Sequence, residues 1–156
     1  MGYLFERADG SLELLLQKQL KPEVDFFQIE SVQCLETSPC DTGGCAVLVR
    51  TSLRVDESIS TTECAGGDLF HTLEQSLREA LAPHYPELDP VRIERYELQV
   101  LDPNHSKVRA FVTAADGERR WTTVGVAQTS TQACLNALSE ALELPLIVRA
   151  VAPSRW

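Results

Sequence analysis

The chain has 156 residues, of which 44% are hydrophobic and 24% charged, a composition that suits one globular domain with a proper core. Its 14 basic and 23 acidic residues give a formal net charge of -9, which opposes binding to nucleic-acid backbones and anionic lipid. No apolar run approaches the roughly 20 residues of a membrane helix, and the N-terminal residues lack a signal-peptide pattern. We therefore expect a cytoplasmic protein without nucleic-acid or membrane partners.

Residues 1–25 are interpreted as a connector that contains one short helix. Ser11 has the chemistry of an N-cap, and Lys21-Pro22 is expected to end the helix. The apolar side of this helix is predicted to consist of Leu12, Leu15, Leu16 and Leu20. Two interpretations stay open, a helix that docks on the following domain and the tail of a linker from a longer protein.

The first copy of a repeated unit is predicted over residues 26–83. Strands are expected at 27–34, at 47–55, where apolar and polar residues alternate, and at 58–63. Gly66-Gly67 then turns the chain, and Asp68 is placed to cap a helix. The apolar positions of that helix are Leu69, Phe70, Leu73, Leu77, Ala80 and Leu81.

The second copy is predicted over residues 89–148. Alternating patterns indicate strands at 95–101 and 108–114, and Asp116-Gly117 predicts a hairpin turn into a third strand over 119–127. Thr129 and Gln132 have the spacing of a capping box. The helix that follows presents Ala133, Ala137, Leu138, Ala141 and Leu142 on one side, and its alanines allow a close approach to the sheet.

The two copies match at one constant offset. Thr61-Thr62 returns as Thr122-Thr123, and the helical residues 77–81 return as residues 138–142. Such an internal repeat predicts an α+β fold of duplicated βββα units with pseudo-twofold symmetry, antiparallel sheets and helices on one face. Residues 26–156 would form one duplicated domain whose ligand or partner sites lie at the seams.

No cofactor or metal site is expected. The five cysteines are an odd number, and Cys64, predicted in a turn, and Cys134, on an apolar helix face, look like reduced thiols. The cluster Cys34, Cys40 and Cys45 lacks the paired two-residue gaps of a zinc knuckle, although its role stays open. The histidines are scattered and are interpreted as surface residues: His71, His84 and His105.

Several segments resemble one known family. The strand from Trp121 to Val126, followed by Ala133 and Ala137-Leu138, resembles the closing strand and helix of the C-terminal regulatory domain of 2-isopropylmalate synthases and citramalate synthases. The turn over residues 66–73 stands where that family carries Gly-Asn-Gly-Pro. The segment at residues 2–6, leading into residues 11–15, is similar to the connector of citramalate synthases.

This resemblance implies an allosteric domain that dimerises and binds the end-product amino acid of the pathway, leucine or isoleucine, for feedback inhibition. The similarity to citramalate synthases favours isoleucine. The family's catalytic barrel, roughly 250 residues long, and its His-x-His metal ligands have no counterpart here, so this chain alone should not perform the condensation. A homodimer is also expected because Trp121, Val124 and Val126, with the alanine helix, give more apolar surface than one module needs.

An effector site for a free amino acid needs backbone donors, an acceptor for the ammonium group and an apolar pocket. Gly66 and Gly67 open a helix and offer N–H groups, while Phe70, Leu73 and Leu77 share one helix face. The resemblance extends the site to residues at the helix start and on the strands of the second copy: Asp68, His71, Val100, Ser106 and Val108. The alternative is that the three apolar residues are simply core.

The residues leave three alternatives to an amino-acid-binding regulatory domain. Asp68 replaces the family's glycine and His71 replaces a small residue, which favours a structural dimerisation module without an effector. A ferredoxin-like amino-acid sensor is disfavoured because that fold orders its elements strand-helix-strand-strand-helix-strand. An independent enzyme is the weakest alternative, since no nucleophile, base and orienting group form a recognisable arrangement.

Overall fold

The structure is a computed structural model that describes residues 9–20, 26–37, 46–102, 104 and 107–151. Its elements, in chain order, are α1 (Asp9–Leu20), β1 (Gln28–Thr37), β2 (Ala46–Val55), β3 (Ser58–Gly66), α2 (Leu69–Leu81), β4 (Arg92–Asp102), β5 (Lys107–Ala115), β6 (Arg120–Ala127) and α3 (Ser130–Val151). A short 3₁₀ turn at Pro86–Leu88 precedes β4. The predicted α+β class with two βββα units is confirmed.

Two compact units divide the chain. The N-terminal unit is Asp25–Pro86, and the C-terminal unit combines Met1–Val24 with Glu87–Trp156. Each contains one antiparallel three-stranded sheet, ordered β1-β2-β3 in the N-terminal unit and β4-β5-β6 in the C-terminal unit. The helix of the connector, α1, therefore belongs to the same unit as the second copy of the repeat.

The N-terminal unit forms its core between α2 and the strands β2 and β3. The predicted alternation in β2 is confirmed, because Val47, Val49, Leu53 and Val55 are all buried. Cys64 does not lie in a turn as predicted. It is a buried residue of β3, because that strand continues to Gly66, three residues beyond its predicted end at Glu63.

In the C-terminal unit, α3 packs closely on β5 and β6. A Cβ added at Gly125 would meet the carbonyl oxygen of Ala133 and would lie 2.8 Å from the nitrogen of Ala137, so only glycine allows this approach. Pro145, inside α3, has no N–H to offer the carbonyl of Ala141. The indole Nε1 of Trp121 donates to that carbonyl instead, at 3.0 Å.

The connector helix differs from its prediction in two ways. It begins at Asp9, so Ser11 is not its N-cap but a buried residue inside it. Its buried side is formed by Gly10, Ser11 and Leu14. The predicted stripe of Leu12, Leu15, Leu16 and Leu20 is exposed, at 39% to 71%.

The physical reason is that hydrogen bonds orient α1. The side chains of Asp9 and Ser11 accept the backbone N–H groups of Thr122 and Val124, both at 2.8 Å, along the outer edge of β6. A Cβ at Gly10 would lie 2.8 Å from the carbonyl oxygen of Thr122. The side of α1 that faces β6 is therefore the side that carries Asp9 and Ser11. The expected helix terminator, Lys21-Pro22, lies outside the described residues.

Equivalent hydrogen bonds support the internal duplication. A hydroxyl pair joins Ser52 to Thr61 in the N-terminal unit, and Thr113 to Thr122 in the C-terminal unit, each at 3.0 Å. The Thr62 hydroxyl donates to the carbonyl of Ser76 at 2.9 Å. The Thr123 hydroxyl donates to the carbonyl of Ala137 at 2.7 Å, one repeat later.

Candidate functional site

The turn before α2 is held by its own residues. Asp68 is the N-cap, as predicted, and its Oδ2 accepts the backbone N–H of His71 at 3.0 Å. The Thr72 hydroxyl donates to the Asp68 carbonyl at 2.6 Å. That hydroxyl leaves no room for a side chain at Gly66, where an added Cβ would lie 2.5 Å from it. A side chain at Gly66 would therefore displace the Thr72 hydroxyl, so packing favours glycine here independently of any ligand.

Asp68 already has partners for its charge. Besides the backbone N–H of His71, its Oδ2 contacts the ring Nδ1 of His71 at 2.7 Å. The hydrogen bond from the His71 backbone is the main cause that lowers the pKa of Asp68, so this carboxylate is charged at neutral pH. It also takes the N–H groups that an effector carboxylate would use. Because about half of the side chain is exposed, the site is better suited to accept an ammonium group.

The apolar residues predicted for the pocket lie in the core of the N-terminal unit. Phe70 is 3% exposed, and Leu73 and Leu77 are fully buried. Their burial fits the alternative that they are core residues. The predicted site residues that are exposed at this end of α2 are Gly66, Gly67, Asp68 and His71.

The remaining predicted site residues lie in the C-terminal unit. Val100 and Val108 are opposite each other in the β4–β5 register. Val100 is 67% exposed, whereas Val108 is buried. Ser106 lies outside the described residues. The structure thus brings together one group around α2 and one pair on β4 and β5.

Among the described residues, no group of three or more His, Cys, Asp or Glu side chains has the arrangement of a metal site. Cys34, Cys64 and Cys134 are free thiols. Burial and, next, a 3.3 Å contact with Glu79 raise the pKa of Cys64 to about 11, which keeps that thiol neutral. Cys40 and Cys45 lie outside the described residues.

A buried polar triad was missed by the sequence reasoning. The Ser76 hydroxyl donates to Thr51 at 2.8 Å and lies 3.0 Å from the hydroxyl of Thr62. It fastens α2 to β2 and β3 inside the N-terminal unit. A signal existed, because Thr51 and Ser76 are polar at positions that the repeat fills with Val112 and Ala137.

A second missed cluster lies where α1 meets α3. Lys18 and Glu143 form an ion pair at 2.8 Å. Burial is the main cause that raises the pKa of the nearby Glu140 to about 7, against a hydrogen bond from Ser11 that lowers it. This ion pair holds α1 against α3, while four leucines of α1 stay exposed: Leu12, Leu15, Leu16 and Leu20.

Two surface grooves formed by described residues lie away from the predicted effector residues. One, of about 660 Å³, lies at the β5–β6 hairpin end of the C-terminal unit and is lined by charged side chains that include Arg92, Glu94 and Arg120. Another, of about 280 Å³, is bordered by Phe26, Arg54 and Asp56 in the N-terminal unit.

In the part of the chain that the structure describes, no helix is long and apolar enough to span a membrane.

Known proteins similar to this chain are (R)-citramalate synthases. The Streptomyces coelicolor protein is 32% identical over 158 residues, which cover 98% of this chain and 29% of the relative. The proteins of Aquifex aeolicus and Geobacter sulfurreducens are 28% and 29% identical over 94% and 93% of this chain. The chain thus spans less than a third of the length of the relatives that it matches.

The matched family accounts for nearly the whole described fold. Residues 6–146 match the LeuA allosteric (dimerisation) domain, a range that includes α1, both three-stranded sheets and most of α3. The resemblance stated from the sequence is therefore confirmed at the level of the family. With its two βββα units, this chain belongs to the LeuA allosteric (dimerisation) domain family.

Proposed function

We propose that this chain is the regulatory domain of a citramalate-synthase-like protein and that it binds a branched-chain amino acid, isoleucine or leucine, as a feedback effector. The family match over residues 6–146 is the observation that carries the proposal. The chain would act on a catalytic synthase domain. The relatives are long enough to include such a domain, because the match covers only 29% of the Streptomyces coelicolor protein.

The proposed site centres on the start of α2. Asp68 offers an exposed carboxylate that can accept the effector ammonium. Gly67 and His71 lie beside it on the surface. The resemblance also implies Val100, Ser106 and Val108, which stay predictions from the sequence.

Calorimetric titration with isoleucine, leucine and valine tests the proposal. If Asp68 holds the ammonium group, Asp68→Asn should weaken binding by about 1.5–3 kcal/mol, because one charge-assisted bond is lost. Thr129→Asn is the matched control, since Thr129 caps α3 at the equivalent position of the repeat and accepts the N–H of Gln132 at 3.1 Å. Absence of binding to the wild type would contradict the effector role. Equal binding by Asp68→Asn would show that Asp68 only caps the helix.

The choice of effector has its own test. We propose isoleucine over leucine, since the similar proteins are citramalate synthases. The two ligands differ only in branching, so a pocket should separate them by no more than about 1–3 kcal/mol. A larger thermal shift with leucine than with isoleucine would contradict this choice.

A dimerisation module without effector is the second candidate. The bonds of Asp68 to the backbone and ring of His71 favour it, because they already satisfy this carboxylate. Both candidates include a homodimer. The surface first expected to support pairing is not available, since Trp121 and Val124 are buried within the chain. Sedimentation should show a species of twice 17.3 kDa, and a monomer at all concentrations would contradict both candidates.

A further inference from the structure

Four strands lie at sheet edges in the described part of the chain. They are β1 and β3 in the N-terminal unit and β4 and β6 in the C-terminal unit. An edge strand presents a row of unpaired N–H and C=O groups that another strand can join, so proteins protect their edges with bulges, charges, prolines or covering segments. The four edges of this protein differ in that protection.

Three of the edges carry a recognisable protection. The register of β1 shifts between Ile29 and Ser31, and that of β4 shifts between Ile93 and Arg95 and again near its end. Such irregularities twist an edge away from a partner. The edge of β6 is covered by α1, whose Asp9 accepts the N–H of Thr122 and whose Ser11 accepts the N–H of Val124.

Among the described residues, the edge of β3 has no bulge, no proline and no covering segment, and its one charged residue, Glu63, is paired with Arg50. The strand has nine residues, contains neither proline nor lysine, and pairs with β2 without a shift from Val47↔Gly66 to Val55↔Ser58. By the repeat, Thr61 and Glu63 occupy the positions of Thr122 and Val124. Their N–H groups therefore point outward, and no described residue accepts them.

We propose that the edge of β3 pairs antiparallel with β3 of a second copy of this chain, across a twofold axis. The inference rests on the homodimer of the proposed function and names the surface that forms it. A strand edge is self-complementary in this arrangement, because each copy supplies the N–H and C=O groups that the other needs. The match to a dimerisation domain favours a second copy over another partner.

The side chains on this edge fit the pairing. A twofold axis at Thr62 places Ile59 opposite Ala65 of the partner subunit, and both residues are exposed, Ile59 at 58%. Exposed apolar residues opposite each other stabilise antiparallel strands. Glu63 is already neutralised within its own sheet by Arg50, at 2.7 Å, so it brings no unpaired charge to the seam.

Two variants and one control test the pairing by sedimentation equilibrium. Ile59→Lys places a charge on the edge and should raise the dimer dissociation constant roughly 10-fold or more. Leu35→Lys is the control, because Leu35 is equally exposed, at 61%, but lies on the opposite edge strand of the same sheet. It should leave the constant unchanged. Thr61→Pro, which removes an outward N–H, should weaken the dimer at least as much as Ile59→Lys.

Amide hydrogen exchange gives a direct readout. The N–H groups of Thr61 and Glu63 should exchange slowly in the dimer and quickly when dilution separates the copies. If the wild type is a dimer and Ile59→Lys leaves it intact with unprotected amides, the pairing is wrong while the homodimer stands. A wild type that stays monomeric overturns both. Should Thr61→Pro fail to fold by circular dichroism, Ile59→Lys and the exchange measurement decide.

Discussion

The two units build the same fold with different chemistry at the seam between helix and sheet. In the N-terminal unit, Thr51 and Ser76 meet through a buried hydroxyl pair at 2.8 Å. The C-terminal unit has Val112 and Ala137 at the equivalent positions, both fully buried. Each unit keeps one bond from a β-strand threonine to a helix carbonyl. The backbone arrangement is therefore compatible with a polar or an apolar seam, provided that the buried groups match.

The contact between helix and strand also differs at one pair of equivalent positions. Cys64 in the N-terminal unit has room for a side chain that reaches Glu79 at 3.3 Å. The equivalent position in the C-terminal unit is Gly125, where α3 leaves no space for a Cβ. The alanine-rich face of α3 permits this closer packing. The same fold thus has room for a side chain at this position in the N-terminal unit and no room for one in the C-terminal unit.

The outer faces of the two sheets differ in the same direction, polar in the N-terminal unit and apolar in the C-terminal unit. Arg50 and Glu63 form an exposed ion pair across β2 and β3. Phe111 and Val124 occupy the equivalent positions of β5 and β6 and are buried. The C-terminal unit is therefore buried on both faces of its central strand, whereas the corresponding face of the N-terminal unit is exposed.

Giving Gly125 a side chain should have the largest effect on this comparison. Gly125→Ala should lower the free energy of unfolding by about 3 kcal/mol, because the added methyl meets the backbone of α3 and the helix must shift. Urea denaturation measures the change. The control is Cys64→Ala, since the N-terminal unit accepts a side chain at that position. Equal losses in both variants would contradict the proposed difference in packing.

The half-buried Glu140 should make stability depend on pH. Its pKa is raised in the folded state, from 4.5 to about 7, so the folded protein binds the proton more tightly than the unfolded chain. The contribution is fully present below pH 4.5 and is lost as the pH rises through about 7. The shift corresponds to about 3 kcal/mol at most.

Unfolding measured across this pH range in the wild type and in Glu140→Gln isolates the effect of Glu140. The difference in unfolding free energy should change along the range, because glutamine does not titrate. Glu79→Gln, at the equivalent exposed position of α2, is the control for changes of surface charge. A constant difference between wild type and Glu140→Gln would show that the pKa of Glu140 is the same in the folded and unfolded states.

The buried triad should give the smallest of the three effects. Ser76→Ala leaves the hydroxyl of Thr51 buried without its donor and should cost about 1–2 kcal/mol. The double variant Thr51→Val with Ser76→Ala reproduces the pair found in the C-terminal unit and should recover most of that loss. A double-mutant cycle on unfolding free energies measures the coupling. Additive effects would contradict the importance of the matched pair.

Much of the fold was predictable from local patterns. The strand alternation of β2, the caps at Asp68 and Thr129 and the apolar face of α3 follow from spacing alone, and all are found. The orientation of α1 was not predictable, because its apolar stripe suggested the wrong buried side. Hydrogen bonds to the edge of β6 decide it, and they depend on a strand more than a hundred residues away.

The candidate site was predictable only in part. Sequence identified Asp68 as the cap and placed Phe70, Leu73 and Leu77 on one face, but a core and a pocket have the same apolar pattern. The structure shows that Phe70, Leu73 and Leu77 are enclosed in the core, whereas His71 is exposed. The triad around Ser76 was not predicted, because a serine or threonine at an apolar position does not by itself indicate a buried hydrogen bond. Only a comparison of the two copies indicates it.

The sequence by itself determined the repeat, the order of elements and the family, because each depends on residue types at fixed spacings along the chain. Only the tertiary structure decided which face of α1 is buried, which edge strand lacks protection among the described residues, and which acidic side chain is partly removed from solvent. These properties depend on atoms that are distant in sequence and on the balance between desolvation and hydrogen bonding at each contact. The difference between β3 and the other three edges, as the described residues form them, becomes visible only when the edges are compared in three dimensions.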